Sequence, residues 1–159
     1  NNNTFYTLSR KTRVSFPQTP EFEKFGVVIE HSNQGDFFLI YPTFNGSVGE
    51  FNQFIEKYQL PFASTYGGRD YTPGNHHYSM GTVGQKGSRA GNFAVQNCDL
   101  LLILGSSLNA SVVGYDPKQF SPASTKVLVD IDWNELQKDV VPIDYKYNDY
   151  LQNFFEAML

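Results

Sequence analysis

Several features that define other classes of protein are scarce or missing in this sequence. Cys98 is the single cysteine among 159 residues, so neither an internal disulfide nor a zinc site of several cysteines can form. Basic residues number 12 against 16 acidic ones, and the net charge of −4 gives no basic surface for nucleic acid. Apolar runs such as Leu100–Leu104 are far shorter than the roughly 20 residues of a membrane helix. We therefore expect a domain that contacts neither nucleic acid nor a membrane.

The start of the sequence sets expectations about location and extent. No secretory signal is visible, and the first residues are Asn1-Asn2-Asn3 in place of Met, so we expect a cytoplasmic location and a piece of a longer protein. Residues 1–18 are polar and aromatic without a clear period, and are expected to form an extended arm. The total length is typical of one domain, which we place at residues 19–159.

Helical and strand-like patterns alternate along that domain. Short apolar runs predict strands at Phe37–Tyr41, Phe62–Thr65, Leu100–Leu104, Lys126–Ile131 and, last and shortest, residues 139–143. Capping residues and apolar stripes predict helices that start at Thr19-Pro20-Glu21 and at residues 48, 88 and 147. In the third of these helices, Ala90, Phe93 and Ala94 are expected to face the core.

The alternation of strands and helices determines the fold class. Strands separated by helices need crossover connections, which produce a parallel sheet covered on both faces. The prediction is therefore an α/β fold, a three-layer Rossmann-like parallel sheet with helices on both faces. Ligands of such sheets bind beyond the carboxyl ends of the strands. The loops after Tyr41, Thr65, Leu104 and Ile131 are thus the places to look for a site.

A glycine-rich turn precedes the predicted helix at residue 88. Gly81, Gly84 and Gly87 recur every third residue, and Lys86 and Arg89 add positive charge that suits a phosphate. Glycines let a ligand approach the backbone, and a helix start offers amide donors. The same spacing suits a tight turn that needs positive φ angles, so both interpretations stay open.

Acidic residues end the strand at Lys126–Ile131. Asp130 is placed either to accept hydrogen bonds from a ribose or to end the strand in solvent. Asp132 is expected to cap the short turn Trp133-Asn134-Glu135. The earlier stretch Gly67-Gly68-Arg69-Asp70 is expected to be a surface turn with a local Arg–Asp pair.

The histidines and the cysteine are not predicted to form a site. Adjacent His76 and His77 would point in opposite directions on a strand, and neither they nor His31 has a matching set of metal ligands in the sequence. Cys98 precedes a buried strand and is expected to be an unreactive packing residue. No G-x-S-x-G pattern is present, so a serine hydrolase has no support.

Four ordered segments between Pro61 and Lys138 carry a family resemblance. They are residues 60–70 ending in Gly67-Gly68-Arg69-Asp70, residues 80–92 with the glycine turn, residues 97–108 around the Leu100–Leu104 strand, and residues 126–135 with Asp130 and Asp132. In this order they resemble the central domain of thiamine-diphosphate enzymes of the acetolactate (acetohydroxyacid) synthase family, which has a DHS-like NAD/FAD-binding fold.

The resemblance implies that the catalytic apparatus lies elsewhere. Members of that family bind thiamine diphosphate and Mg²⁺ on two other domains, and the diphosphate motif Gly-Asp-Gly does not occur in this sequence. The chain is therefore expected to be a non-catalytic partner of those two domains. The parent would be a homo-oligomeric transferase or lyase that acts on 2-keto acids.

The resemblance also implies candidate cofactor residues. Flavin-binding members hold FAD along the strand ends, at positions that correspond here to Gln85, Lys86 and Gly87 and to Asp130 and Ile131. The candidate site is completed by Gly84, Arg89 and Gly105.

The sequence departs from the flavin-binding pattern in the loop after Gly105. Neutral Ser107-Leu108-Asn109-Ala110-Ser111 stands where those members carry Arg-Phe-Asp-Asp-Arg, which removes a bidentate phosphate partner. FAD, an ADP-type nucleotide or no ligand thus remain open. The alternative function is a free-standing nucleotide-binding or regulatory module for ADP, FAD or coenzyme A. A sirtuin-like NAD-consuming enzyme is a third option, but its Gly-Ala-Gly loop and four-cysteine zinc site are missing.

Overall fold

The computed structural model describes residues 37–41, 48–71 and 75–159. Its strands are β1 (Phe37–Tyr41), β2 (Phe62–Ser64), β3 (Ser79–Thr82), β4 (Leu100–Leu104), β5 (Thr125–Asp130) and β6 (Tyr145–Asn148). Its α-helices are α1 (Val48–Tyr58), α2 (Arg89–Gln96), α3 (Ala110–Val113), α4 (Trp133–Gln137) and α5 (Leu151–Met158). Short 3-10 helices span Tyr66–Tyr71 and Pro117–Gln119. The predicted arm and the helix at Thr19-Pro20-Glu21 lie outside the described residues.

The strands form one parallel sheet in the order β3-β2-β1-β4-β5-β6. The chain adds strands outward from β1 to β3, then returns to the other side of β1 and continues to β6. The order therefore reverses between β1 and β4, and this reversal creates a crevice at the carboxyl ends of the strands. The predicted Rossmann-like parallel sheet is confirmed.

Hydrophobic clusters cover both faces of the sheet, as the alternation of side chains along a strand requires. In β4, Leu100, Leu102 and Leu104 join the cluster that contains α1 and α5, whereas Leu101 and Ile103 join the opposite cluster. The first cluster is rich in aromatic rings that meet edge to face, with Phe51 5.3 Å from Phe62. Burial of each such ring contributes about 1.5–3 kcal/mol.

The apolar residues at helical spacing account for most of the packing of the helices on the sheet. Phe51, Phe54, Ile55 and Tyr58 of α1 are buried, as their spacing predicts. Helix α2 is an exception: Phe93 is 69% exposed, and Ala90 is exposed as well. The prediction that these two face the core is wrong. The buried face presents Gly91 and Val95, because Gly91 lies against the Thr82 backbone and only a residue without a side chain fits there.

The two edge strands differ from the expectations. Strand β3 was not predicted, since Ser79–Thr82 is polar and contains a glycine. The last strand lies at Tyr145–Asn148 and not at residues 139–143. Pro142 interrupts the predicted segment and lacks the N–H that a sheet ladder needs, so Val141 is buried from a loop instead. The residues predicted to form a loop after β2 form the 3-10 helix Tyr66–Tyr71.

Candidate ligand site at the carboxyl ends of the strands

The glycine-rich turn joins β3 to α2 with tight geometry. Gly81 and Gly84 have φ angles of +92° and +109°, which side-chain-bearing residues rarely adopt. A β-carbon on Gly84 would lie 2.5 Å from the Ser111 carbonyl oxygen. One on Gly87 would lie 2.7 Å from the Thr82 oxygen. Backbone conformation and close packing therefore account for the three glycines.

The amides of this turn donate to the protein itself. Gly84 N–H donates to the Asn92 side chain at 2.8 Å, Gln85 N–H to the Ser111 carbonyl at 2.7 Å, and Gly87 N–H to the Gly84 carbonyl at 2.8 Å. The Ser88 hydroxyl caps α2 by accepting from Gly91 N–H at 3.0 Å. These three amides are therefore engaged within the protein, and a phosphate at this turn would need side chains among its partners. These bonds favour the tight-turn interpretation of the glycines.

A cleft of about 460 Å³ opens between the glycine turn, α2 and α3. This volume lies in the range of small-molecule sites. Its lining combines apolar and polar side chains and comprises Val83, Gly84, Gln85, Asn92, Val95, Gln96, residues 110–115 and Phe120. Of the residues predicted for a cofactor, only Gly84 and Gln85 line it.

The predicted cations lie beside the cleft. Arg89 is exposed in the first turn of α2. Lys86 is exposed, and its ammonium lies 5.7 Å from the centre of the Tyr66 ring. Neither Lys86 nor Arg89 is among the residues that line the cleft.

Gly105, Asp130 and Ile131 lie farther along the same edge of the sheet. Strand β4, which precedes Gly105, is three positions from β3, and β5, which precedes Ile131, is four positions from it. At about 4.8 Å per strand, Gly105 is roughly 14 Å and the Asp130–Ile131 pair roughly 19 Å from the glycine turn across the sheet. The glycine turn and these residues all lie at the carboxyl ends of parallel strands. A ligand that contacted both would have to be extended, as a dinucleotide is.

Asp130 is held in a buried position at the end of β5. It is 6% exposed, and its Oδ1 accepts from Asp132 N–H at 2.8 Å. Burial raises the pKa of the Asp130 carboxyl above its ordinary value of 3.8, and the Asp132 amide opposes this shift. The Asn148 side chain donates to the carbonyls of Asp130 and Ile131 at 3.1 and 2.8 Å. Asp130 therefore does not end the strand in solvent.

Ser106 was not singled out from the sequence. It directly follows Gly105, whose φ is +58°, in the loop after β4. Ser106 is 2% exposed, and its hydroxyl has no hydrogen-bond partner among the residues that the structure describes. An unpaired buried hydroxyl is costly, and this one lies next to the crevice between β1 and β4. Its position, rather than any motif, makes it a candidate ligand contact.

Two local predictions have a clear outcome. Asp132 caps α4 through a 2.8 Å bond from Asn134 N–H, as predicted. Cys98 is 1% exposed, and burial raises the pKa of its thiol to about 11, which confirms a packing role. The fold brings Glu56 to His76 and His77, a grouping that their spacing in the sequence did not indicate, and the expectation that the histidines form no metal site stays a prediction.

The fold and the edge of the sheet define the class of protein. Parallel strands in the order 3-2-1-4-5-6 with helices on both faces form a Rossmann-like α/β domain. Residues 43–157 match a protein-family model described as "Thiamine pyrophosphate enzyme, central domain". The chain belongs to this family of central domains.

Curated relatives of the chain are acetolactate synthases. The chain is 37% identical over 97 residues to the acetolactate synthase large subunit of Lactococcus lactis, a span that covers 61% of this chain and 17% of that protein. It is 30% identical over 118 residues to the probable acetolactate synthase large subunit of Methanocaldococcus jannaschii, covering 72% and 20%. The matched region is thus a fifth or less of these relatives. Within the described residues, no helix combines the length and apolarity that a membrane crossing needs.

Proposed function

We propose that this chain is the non-catalytic central domain of a thiamine-diphosphate- and Mg²⁺-dependent carboligase or decarboxylase that acts on 2-keto acids. The observation that carries the proposal is the match of residues 43–157 to the central domain alone, within relatives that are several times longer. The other two domains would hold the cofactor and metal. The parent would be a cytoplasmic homo-oligomer of the transferase or lyase class, without nucleic-acid or membrane partners.

Spacing of the catalytic domains is the role that we propose for the chain itself. Several aromatic side chains are largely exposed on the described surface: Tyr115 (97%), Phe93 (69%), Tyr66 (64%), Trp133 (60%) and Tyr150 (58%). Aromatic residues are enriched in protein interfaces, where they bury a large area with few rotatable bonds. Contact with neighbouring domains would therefore account for their exposure.

A second role, retention of an ADP-type nucleotide or FAD, is supported by the carboxyl edge of the sheet. The Ser106 hydroxyl, which has no partner among the described residues, and the buried Asp130 carboxyl offer polar groups beside the crevice. The 460 Å³ cleft offers space near Gly84 and Gln85. Lys86 and Arg89 supply charge, whereas the loop after Gly105 supplies none, since it is neutral from Ser106 to Ser111. The small number of positive charges at this edge of the sheet favours a ligand with few phosphates.

The competing function is a free-standing nucleotide-binding or regulatory module. The cleft is the observation that favours it, because a scaffold needs no such space. Appreciable affinity of the chain alone for ADP, FAD or coenzyme A would support this alternative. The two proposals also differ in context, since only the central domain requires catalytic domains on the same polypeptide.

Thermal melts of the chain with ADP, FAD, coenzyme A and NAD, together with its flavin absorbance, test the nucleotide role. A ligand present at about 100 times its Kd adds roughly 2.7 kcal/mol to the free energy of unfolding. Ser106→Ala should weaken the binding of any ligand at the carboxyl edge of the sheet. The melting temperature without ligand should be equal or higher, because the variant lacks a hydroxyl that has no partner among the described residues. No shift with any ligand would contradict nucleotide binding and leave spacing as the role.

An activity assay tests the non-catalytic assignment separately. The chain is mixed with pyruvate, thiamine diphosphate and Mg²⁺, and product formation is followed. We expect no turnover above that of the protein-free mixture. Turnover by the chain alone would contradict the proposal, whatever the melts show.

A further inference from the structure

Glu56, His76 and His77 come together on the edge of the sheet opposite the cleft. Glu56 lies near the end of α1, which leads to the start of β2. The two histidines lie in the segment that leads to the start of β3. All three therefore lie at the amino ends of the strands, away from every residue proposed for the cofactor.

The distances between their ligand atoms suit a single metal ion. Glu56 Oε1 and His76 Nε2 are 3.2 Å apart, and one ligand atom from each of the three residues lies within 4.8 Å of the other two. Tetrahedral zinc with bonds of about 2.0 Å separates its ligand atoms by roughly 3.3 Å. The Glu56–His76 pair already has this spacing. The third ligand needs to approach by at most about 1.5 Å, and the His77 ring, which lies parallel to the His76 ring, needs to rotate toward the ion, movements that an exposed side chain makes readily.

The surroundings hold one histidine firmly and leave the other adjustable. The His76 side chain is 13% exposed, and its ring meets the buried Phe62 ring at 5.3 Å. The His77 ring is exposed, lies parallel to the His76 ring at 5.4 Å, and contacts Tyr78 at 3.7 Å. Glu56 follows Ile55, a fully buried residue of the core. The burial of Ile55 thus anchors the helix that carries Glu56, and the Phe62 ring packs against the His76 ring.

We propose that Glu56, His76 and His77 bind a late first-row divalent cation, with Zn²⁺ as the representative ion. Two imidazoles and one carboxylate suit zinc and its neighbours, whereas Mg²⁺ and Ca²⁺ prefer sites made of oxygen ligands. Three protein ligands at an exposed position leave a fourth coordination position for water or for a group from a neighbouring domain. The ion links α1 to the segment before β3, an edge strand that pairs only with β2 among the described strands.

Metal binding changes two existing contacts of His76. The direct contact between Glu56 Oε1 and His76 Nε2 is replaced by two metal bonds. A metal at Nε2 places the ring proton on Nδ1, so the 3.3 Å bond that Nδ1 accepts from Tyr78 N–H is given up. This bond is long and partly buried, so its loss costs far less than a metal bond gains.

The test is a calorimetric titration of the metal-free, tag-free full chain with ZnCl₂, paired with thermal melts. We expect one Zn²⁺ per chain and a higher melting temperature in its presence. Glu56→Gln and His77→Ala should each weaken Zn²⁺ binding by at least about 10- to 100-fold, the loss that mutation of an outer-shell partner already causes. Both residues are exposed, so these variants retain the fold; His76 is left intact because it packs on Phe62. Glu156→Gln, an exposed helical glutamate outside the cluster, should bind Zn²⁺ as the wild type does.

Three outcomes would overturn the proposal. The first is the absence of saturable binding with one ion per chain. The second is binding that all three variants retain equally, which would locate the ion elsewhere. The third is a lower melting temperature of Glu56→Gln than of the wild type, combined with no effect of Zn²⁺ on the wild type, which would show that Glu56 and His76 form a side-chain contact and no metal site.

Discussion

The side-chain amide of Asn92 forms two hydrogen bonds with the backbone of one residue, Gly84. Its oxygen accepts from Gly84 N–H at 2.8 Å, and its nitrogen donates to the Gly84 carbonyl at 3.0 Å. Asn92 lies on α2 and Gly84 in the preceding turn, so the pair fixes the wall of the cleft to the helix. Asn92→Ala should lower the free energy of unfolding by about 1–2 kcal/mol, measured by urea denaturation.

Two further variants separate the contribution of each hydrogen bond. Asn92→Asp keeps the acceptor but not the donor, so it should lower the free energy of unfolding by less than Asn92→Ala does. Asn97→Ala removes a single exposed bond to the Phe93 carbonyl and should cost less than Asn92→Ala. Equal stability of Asn92→Ala and the wild type would show that the turn does not depend on this side chain.

Two helical glycines should respond oppositely to alanine. A β-carbon on Gly91 would lie 2.9 Å from the Thr82 carbonyl carbon and closer still to its oxygen. One on Gly49 of α1 would have no atom of the described residues within 4 Å. Gly91→Ala should therefore destabilise the chain by about 1–3 kcal/mol, and Gly49→Ala should stabilise it by about 0.5–1 kcal/mol. Thermal melts of both variants check the prediction. A stabilising Gly91→Ala would contradict the packing of α2 on β3.

Cys98 should react with thiol reagents only when the chain unfolds. Burial raises the pKa of its thiol to about 11, and its Sγ contacts the Val95 carbonyl at 3.2 Å. At about pH 8 roughly one thiol in a thousand would be ionised, besides being shielded from solvent. Rates of alkylation in buffer and in denaturant measure this protection. Labelling in buffer as fast as in denaturant would contradict the buried position.

Asp130 should make the chain less stable as the pH rises. Its folded-state pKa is raised by burial, so the folded state binds more protons than the unfolded state. The stability that this group contributes is fully present below pH 3.8 and is lost as the pH rises through the raised pKa. Asp130→Asn keeps the acceptor for Asp132 N–H but cannot ionise. The stability of the variant relative to the wild type should therefore increase across this pH range, as followed by melts. A constant difference would contradict the raised pKa.

Strand β4 and helix α1 could be predicted from the sequence because packing alone determines them. All five residues of β4 are buried, so an unbroken apolar run suffices to find it. In α1 the buried residues recur at helical spacing. The edge strands β3 and β6 have polar sequences, and their strand conformation depends on pairing with β2 and β5.

The candidate sites depend on contacts between distant residues, which the sequence does not reveal. Two walls of the cleft are joined by the hydrogen bond that the Ser111 carbonyl accepts from Gln85 N–H, and Ser111 lies in a stretch that was predicted only to be polar. The sequence did contain two signals of α3, which forms one wall of the cleft: the capping residue Asn109 at its start and Gly114 at its end. Glu56 and His76 belong to separate elements, so only the fold shows that they meet.

Determination of the complete reading frame tests the central-domain proposal most directly. We predict that the frame continues beyond residues 1–159 into a polypeptide several times longer, with a downstream Gly-Asp-Gly motif followed by paired asparagines. A frame that encodes these 159 residues alone, without such a motif, would contradict the proposal.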